Sequence, residues 1–244
     1  MNSLKFDGTT AWFVTPDNKY GLSKFPMKNI TDGDFSFLTT IKVDWDKMNP
    51  NDTTREGGVI IKNGLHLGLS VVKPNNTHVY IKGTIWTIDA SLGPNGMKPY
   101  DILVKVNDEV SDLYKEYKIG FSFKKKEKQF SIYCDGTWIT ERFDGSLIDY
   151  SNAWLWIGAA NPLESCPTDF RQFFRGEMFY AAIFSKFLDR SEIEEVYGEP
   201  GNVSKRLKPT CVLDFKRQTP YKILDISETG NNLIRFDKEW MGSI

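Results

Sequence analysis

The sequence predicts an all-β fold carrying one short helix. Period-two alternation of apolar and polar residues recurs along the chain, broken by clusters of Gly, Asn, Asp and Pro. Aromatic residues make up 14% of the 244, and large flat side chains suit half-buried pleated surfaces. Only one stretch combines a helical apolar face with helix punctuation.

In chain order, residues 35–45 read as a strand, and residues 58–62 as a second strand ending at the Asn63-Gly64 turn. That dipeptide supplies the positive φ angles of a tight hairpin. Residues 65–72 return from it, and residues 79–88 follow the Lys73–Asn76 loop. Residues 89–113, punctuated by Pro94, Asn95, Gly96 and Pro99, read as irregular. The clearest hairpin is central: 118–123 alternates, Lys124–Lys128 turns, 130–134 returns, and Asp135-Gly136 turns into 138–143. The basic run is thus a solvated hairpin tip. The helix falls at about 190–197, with Ser191 and Glu194 at capping-box spacing, Ile193, Val196 and Tyr197 on its apolar face, and Gly198 and Pro200 ending it.

Charge and composition narrow the function. Lys and Arg number 31 against 32 Asp and Glu, so the chain lacks the positive field that holds a phosphate backbone, and nucleic acid is not expected as a partner. No apolar run approaches the length of a membrane span, so no membrane insertion is expected. No signal peptide is visible at the start of the sequence. Cys134, Cys166 and Cys211 have no metal-site spacing and fit core packing or a reduced environment. His66 and His78 are the only histidines, and neither has a Ser or Cys neighbour in a nucleophile elbow.

Several segments resemble the laminin-G-like and concanavalin A-like jelly rolls. Leu4–Gly8 with Ala11–Val14 is similar to that superfamily's opening strand, Phe130–Gly136 to its central strand and Asp-Gly turn, and Leu155–Gly158 to a late strand ending in Ile-Gly. Gly176–Leu188, leading into Ser191-Glu192-Ile193 and Tyr197, resembles its closing strand and short helix. Val212–Phe215 and Ile223–Leu233 resemble the segment that usually precedes the opening strand, so the order looks circularly permuted. The resemblance implies an all-β, two-sheet antiparallel jelly-roll sandwich, with residues 1–244 as a single domain and the C-terminal segment 199–244 completing it beside the N-terminal strand. The expected core includes Phe6, Phe37 or Leu38, Ile119, Phe121, Phe123, Ile132, Leu155, Ile157, Met178 and Ile183.

The superfamily binds glycans, proteins or lipids, and some members cleave glycans. Its hydrolases place carboxyl groups on one strand face as Glu-x-Asp-x-x-Glu, and no Glu-x-Asp occurs in this chain. Asp44-Trp45-Asp46 sets two carboxylates on one face of a strand end without a third. No catalytic residues are therefore nominated. Calcium is the one cofactor the resemblance suggests, with Asp32, Asp34 and Asp225 as candidate ligands; turn formation explains the same residues. If Leu155, Ile157 and Met178 point inward, alternation turns Trp154, Trp156 and Phe179 outward. On neighbouring strands these three would form one aromatic patch, offered to a protein partner or a glycan unless the chain's own loops cover it. The reading that follows is a non-catalytic binding and assembly module, a phage or other viral particle component associated with a virion or a cell surface. The alternative is a lectin-like carbohydrate-binding domain of a surface protein or enzyme, and a third is a glycoside hydrolase with a non-standard carboxylate pair.

Overall fold

The alternating segments are strands in the computed structural model, which describes residues 3–8, 11–14, 33–51, 55–62, 67–93, 96–106, 115–147, 155–159, 172–198, 206–215, 222–226 and 233–236. Asp135 and Gly136 show how local chemistry sets the pairing. Both have positive φ, 46° and 90°, the signature of a type I′ turn. The turn joins β9 (Gln129–Cys134) to β10 (Thr137–Arg142) with Cys134 opposite Thr137. The lysine run likewise turns β8 (Glu116–Lys124) into β9, as its charge requires.

Two antiparallel sheets result, and they pack as a jelly-roll sandwich. In the first, β10, β9 and β8 are followed by β3 (Phe35–Val43), β13 (Arg175–Phe184) and β14 (Cys211–Asp214). The short β1 (Leu4–Asp7) lies on the same edge of β13 as β14, further along it. In the second, β16 (Leu233–Phe236), β2 (Ala11–Val14) and β12 (Leu155–Ile157) lead to β4 (Glu56–Lys62), β5 (Leu67–Val72) and β6 (Tyr80–Ile88). β7 (Met97–Lys105) and the two-residue β11 (Ser146–Leu147) both pair with β6. β15 (Lys222–Asp225) pairs with β14 and with β16, so the sheets are joined along one edge. The C-terminal strands therefore pair into the sandwich, with β16 directly beside β2.

Between the sheets lies an apolar core. Phe6, Phe37, Ile119, Phe121, Phe123, Ile132, Ile157, Met178 and Ile183 are all buried in it, as alternation predicts. Leu38 is also buried, but on the other side of the first sheet, and the side chain of Leu155 lies outside the described ones. The sheets approach closely at Gly83, where a Cβ would sit 2.0 Å from Ile132 Cδ1 of the opposite sheet. The outer side of the first sheet is closed by α1 (Arg190–Gly198), whose Ile193, Val196 and Tyr197 pack on Leu38, Tyr133, Ala182 and Phe184.

Three local expectations are corrected. Residues 97–105 form a regular edge strand rather than an irregular segment; only Ile102 and Val104 of it are fully buried, so its apolar signal is thin. The strand from Phe35 ends at Val43, and Trp45–Lys47 is a short 3-10 turn with Asp44 ion-paired to Lys47 at 2.6 Å, so Asp44 and Asp46 share no strand face. The capping box is Asp189 with Glu192, not Ser191 with Glu194. Asp189 Oδ1 accepts from the Glu192 N–H, Glu192 Oε2 accepts from the Asp189 N–H, and Ser191 donates to Asp189.

Candidate functional site

Trp156 and Phe179 of the predicted aromatic patch do not come together. Trp156 belongs to β12 in the second sheet and Phe179 to β13 in the first, so the two are not on neighbouring strands. Trp156 is only 3% exposed, and it lies outside the core cluster that holds its neighbour Ile157. Phe179 falls where the β13–β3 register slips between Met178 and Tyr180; Met178 faces the core and Tyr180 the helix side, so Phe179 is the inserted residue and is half-buried. Trp154 lies outside the described residues.

Of the proposed calcium ligands, Asp34 and Asp225 do not meet either. Asp34 Oδ1 accepts the Lys125 N–H at 2.9 Å, tying the start of β3 to the β8–β9 turn. Asp225 lies opposite Leu213 on β15; Leu213 faces Ala181, and Ala181 faces Thr39. Asp34 and Asp225 are thus three strand spacings and about five residues apart, roughly 20 Å. Asp32 and the side chain of Asp225 lie outside the described residues, and among the described residues no three His, Cys, Asp or Glu groups could hold a metal. Cys134 and Cys211 are buried thiols outside any disulfide, and burial pushes the Cys134 thiol up to about 12, which fits core packing rather than thiolate chemistry.

A polar cluster instead occupies the outer side of the second sheet. Registers place Trp156, Ile61, Gly68, Thr84 and Asp101 in one row across β12, β4, β5, β6 and β7. The next row holds Gly58, Ser70, Lys82 and Leu103, and the one after it Glu56, Val72, Tyr80 and Lys105. Ser70 donates to Glu56 Oε1 at 2.8 Å, and Lys82 Nζ lies 3.0 Å from the same oxygen. Thr84 donates to Asp101 Oδ1 at 2.7 Å. Glu56, Ser70 and Thr84 are buried although they face away from the core, whereas Tyr80, Lys82 and Trp86 are half-buried and Asp101, Leu103 and Lys105 are exposed. The result is a sunken polar floor that opens toward the β7 margin, with the Trp86 and Tyr80 rings beside it. His78 stacks on Tyr80, with ring centroids 6.3 Å apart.

Such a floor can bind but is poorly arranged for glycoside hydrolysis. Glu56 and Asp101 sit three strands and about four residues apart, roughly 19 Å between Cα atoms, beyond the span across which two carboxyl groups act on one glycosidic bond. The cluster was not foreseen from the sequence. Its signal was the alternation of Lys82, Thr84 and Trp86 along β6, but nothing local identifies the facing Glu56 and Asp101.

Comparison with solved structures supports the fold. A Bacteroides ovatus protein described as carbohydrate-binding superposes with a TM-score of 0.57 at 12% identity, over 96% of this chain and 60% of that one. This chain therefore spans less than two thirds of that protein's length. The heptameric SAP-like pentraxin of Limulus polyphemus gives 0.52 at 10% identity, over 96% and 94%. The CBM40 of the Ruminococcus gnavus IT-sialidase, bound to α2,3 sialyllactose, gives 0.54 at 12% identity, over 80% and 96%. No family model matches the sequence, and no curated protein matches it.

Proposed function

We propose that this chain is a non-catalytic carbohydrate-binding module, and that it binds glycans on the outer side of its second sheet, along β5, β6 and β7. The observation that carries this reading is the sunken Glu56–Lys82 ion pair, set with Ser70 and Thr84 on a face that does not pack on the core. A pair of charges this far out of water gains little stability over apolar side chains of the same size, so the fold alone does not account for it. Sugar hydroxyls, in contrast, need acceptors and donors side by side, and a carboxylate, an ammonium and two hydroxyls supply both. The half-exposed Trp86 ring beside them offers an apolar face to sugar C–H groups.

The structural neighbours favour this lectin-like reading over that of a particle component. The sialyllactose bound by the Ruminococcus gnavus CBM40 makes that sugar the first probe, with lactose as control and a glycan array to widen the search. The expected result is saturable binding of at least one array glycan, weakened tenfold or more by Trp86→Ala and by Lys82→Met, with each variant melting close to the parent. Absence of any glycan binding, or binding that survives both substitutions, overturns the assignment of this face.

A further inference from the structure

The first sheet ends at β10, and the hydrogen-bonding phase of that strand is fixed. The Asp135-Gly136 turn makes Cys134 and Thr137 a bonded pair, and further along Phe143 N–H donates to the Lys128 carbonyl at 3.0 Å. Bonded pairs alternate along an antiparallel ladder, so Thr137, Ile139 and Glu141 bond β9 through their backbone groups. Trp138, Thr140 and Arg142 turn theirs to the other side. Among the described residues β10 pairs with β9 alone. The strand has neither a proline nor a bulge to blunt its edge, and its register with β9 runs unbroken from Thr137 to Arg142. Its opening Thr-Trp-Ile-Thr is composed of strand-forming residues throughout. Ile139 is 37% exposed, and Thr140, Glu141 and Arg142 are exposed with it.

We infer that β10 pairs with β10 of a second copy of the chain, antiparallel about a two-fold axis at Thr140. The axis sets Thr140 against its own equivalent, and Trp138 against Arg142 of the other copy on both sides. Side chains opposed in this way lie about 5 Å apart on one face of the sheet, so each guanidinium reaches an indole ring. The register makes about six backbone hydrogen bonds, two in each bonded pair. Other axes of the same phase are poorer. One at Glu141 opposes two carboxylates, and one at Arg142 opposes two guanidinium groups. One at Trp138 or Ile139 keeps fewer bonds within the strand and draws the turn at Gly136 into the pairing. The contact is self-complementary, as a two-fold interface must be. Its axis runs normal to the sheet, so the two first sheets become one and both second sheets lie on the same side of it. Their outer faces then point the same way, which lets both engage one surface at once. The pairing stands on backbone phase and side-chain register and does not depend on glycan recognition.

Sedimentation equilibrium from micromolar to millimolar chain tests the pairing, and the parent is expected to move from 28.0 kDa toward twice that mass. Trp138→Lys alone sets like charges across the axis, and Arg142→Glu alone takes the cation from the ring; each should weaken association tenfold or more. The double variant Trp138→Lys/Arg142→Glu sets opposite charges there and should restore it. Trp138 also packs edge-on against Phe187, so two further measurements leave it in place. Thr140→Cys should link two copies through the axis under mild oxidation, where Ile139→Cys should not. Amide hydrogen exchange on the unmodified protein should show the Trp138, Thr140 and Arg142 amides gaining protection as concentration rises, with the Ile139 and Glu141 amides protected throughout. A parent that stays monomeric, edge amides whose exchange ignores concentration, crosslinking through Ile139→Cys in preference to Thr140→Cys, or folded single variants that the double variant fails to rescue each overturn the pairing.

Discussion

The two sheets treat their outer faces in opposite ways. On the first sheet, Leu38, Ala182 and Phe184 are covered by Leu188, Ile193, Val196 and Tyr197, so that β3 is buried on both faces almost along its whole length. Polar groups there are closed off by the chain itself. Ser36 bonds Ser122, donates to the Lys186 carbonyl and accepts from Leu188 N–H, pinning the segment that leads into the helix. On the second sheet the outward groups are Glu56, Ser70, Lys82, Thr84 and Asp101, which bond one another side chain to side chain. Antiparallel sheets commonly solvate one face. Here a nine-residue helix removes that option from one sheet and leaves it to the other. Polar groups on the first outer face are closed under the helix; those on the second bond one another across neighbouring strands.

The largest effect that would break this contrast is at Phe184. It is fully buried under the helix side, and Phe184→Ala should cost about 3–5 kcal/mol of stability, since it removes an aromatic from a closed apolar layer. Urea unfolding measures it. A cost as small as that of Trp86→Ala on the other face would mean that the helix cover contributes no second core.

Tyr197 sharpens the point. Its hydroxyl accepts the Thr39 N–H at 2.9 Å and lies within bonding reach of the Thr39 and Ile119 carbonyls, its one proton going to either. The helix thereby reaches the β3–β8 seam as well as covering it. Burial and the neighbouring Tyr180 raise the Tyr197 phenol well above its ordinary value, which keeps it a neutral donor at neutral pH. Tyr197→Phe should cost about 1–3 kcal/mol by leaving a buried N–H unmet, again read by urea unfolding. A neutral result would reduce the helix to apolar cover.

Much of the first face was legible in the sequence, and little of the second. Ile193, Val196 and Tyr197 recur at helical spacing beside strands whose alternation is plain, so the core side of β8 and the apolar side of α1 can be read locally. The cap slipped by two residues because Asp189-Arg190-Ser191-Glu192 offers two overlapping acidic spacings, and only coordinates show which carboxylate meets which N–H. The polar floor is assembled from Glu56, Ser70, Lys82 and Asp101, which lie on four strands whose pairing is a property of topology. For the same reason Trp156 and Phe179 could each be given a face but not a common sheet. The edge strand β7 was hidden by Pro99 and by three exposed charges at 98, 101 and 105, the features that make an open edge tolerable.

The smallest expected effect tests how completely the first face is closed. Tyr180 lies at the margin of the helix cover, its ring edge-on to that of Tyr197 with centroids 6.5 Å apart. Its hydroxyl is out of water and has no hydrogen-bond partner among the described residues. Burial, with a lesser contribution from nearby Cys211, raises its phenol above the ordinary value, so ionisation offers it no relief. A buried hydroxyl left unmet has already lost its water, and deleting it removes that penalty while keeping the ring contacts. Tyr180→Phe should therefore be neutral or stabilising by up to about 1 kcal/mol, against a clear loss for Tyr197→Phe, whose ring it touches on the same face. Measured side by side by urea unfolding, the two variants separate a phenol that holds the helix to the sheet from one that merely fills space. If Tyr180→Phe costs as much as Tyr197→Phe, the Tyr180 hydroxyl has a partner, and the polar bonding on the helix-covered face extends further than Ser36, Thr39 and Tyr197.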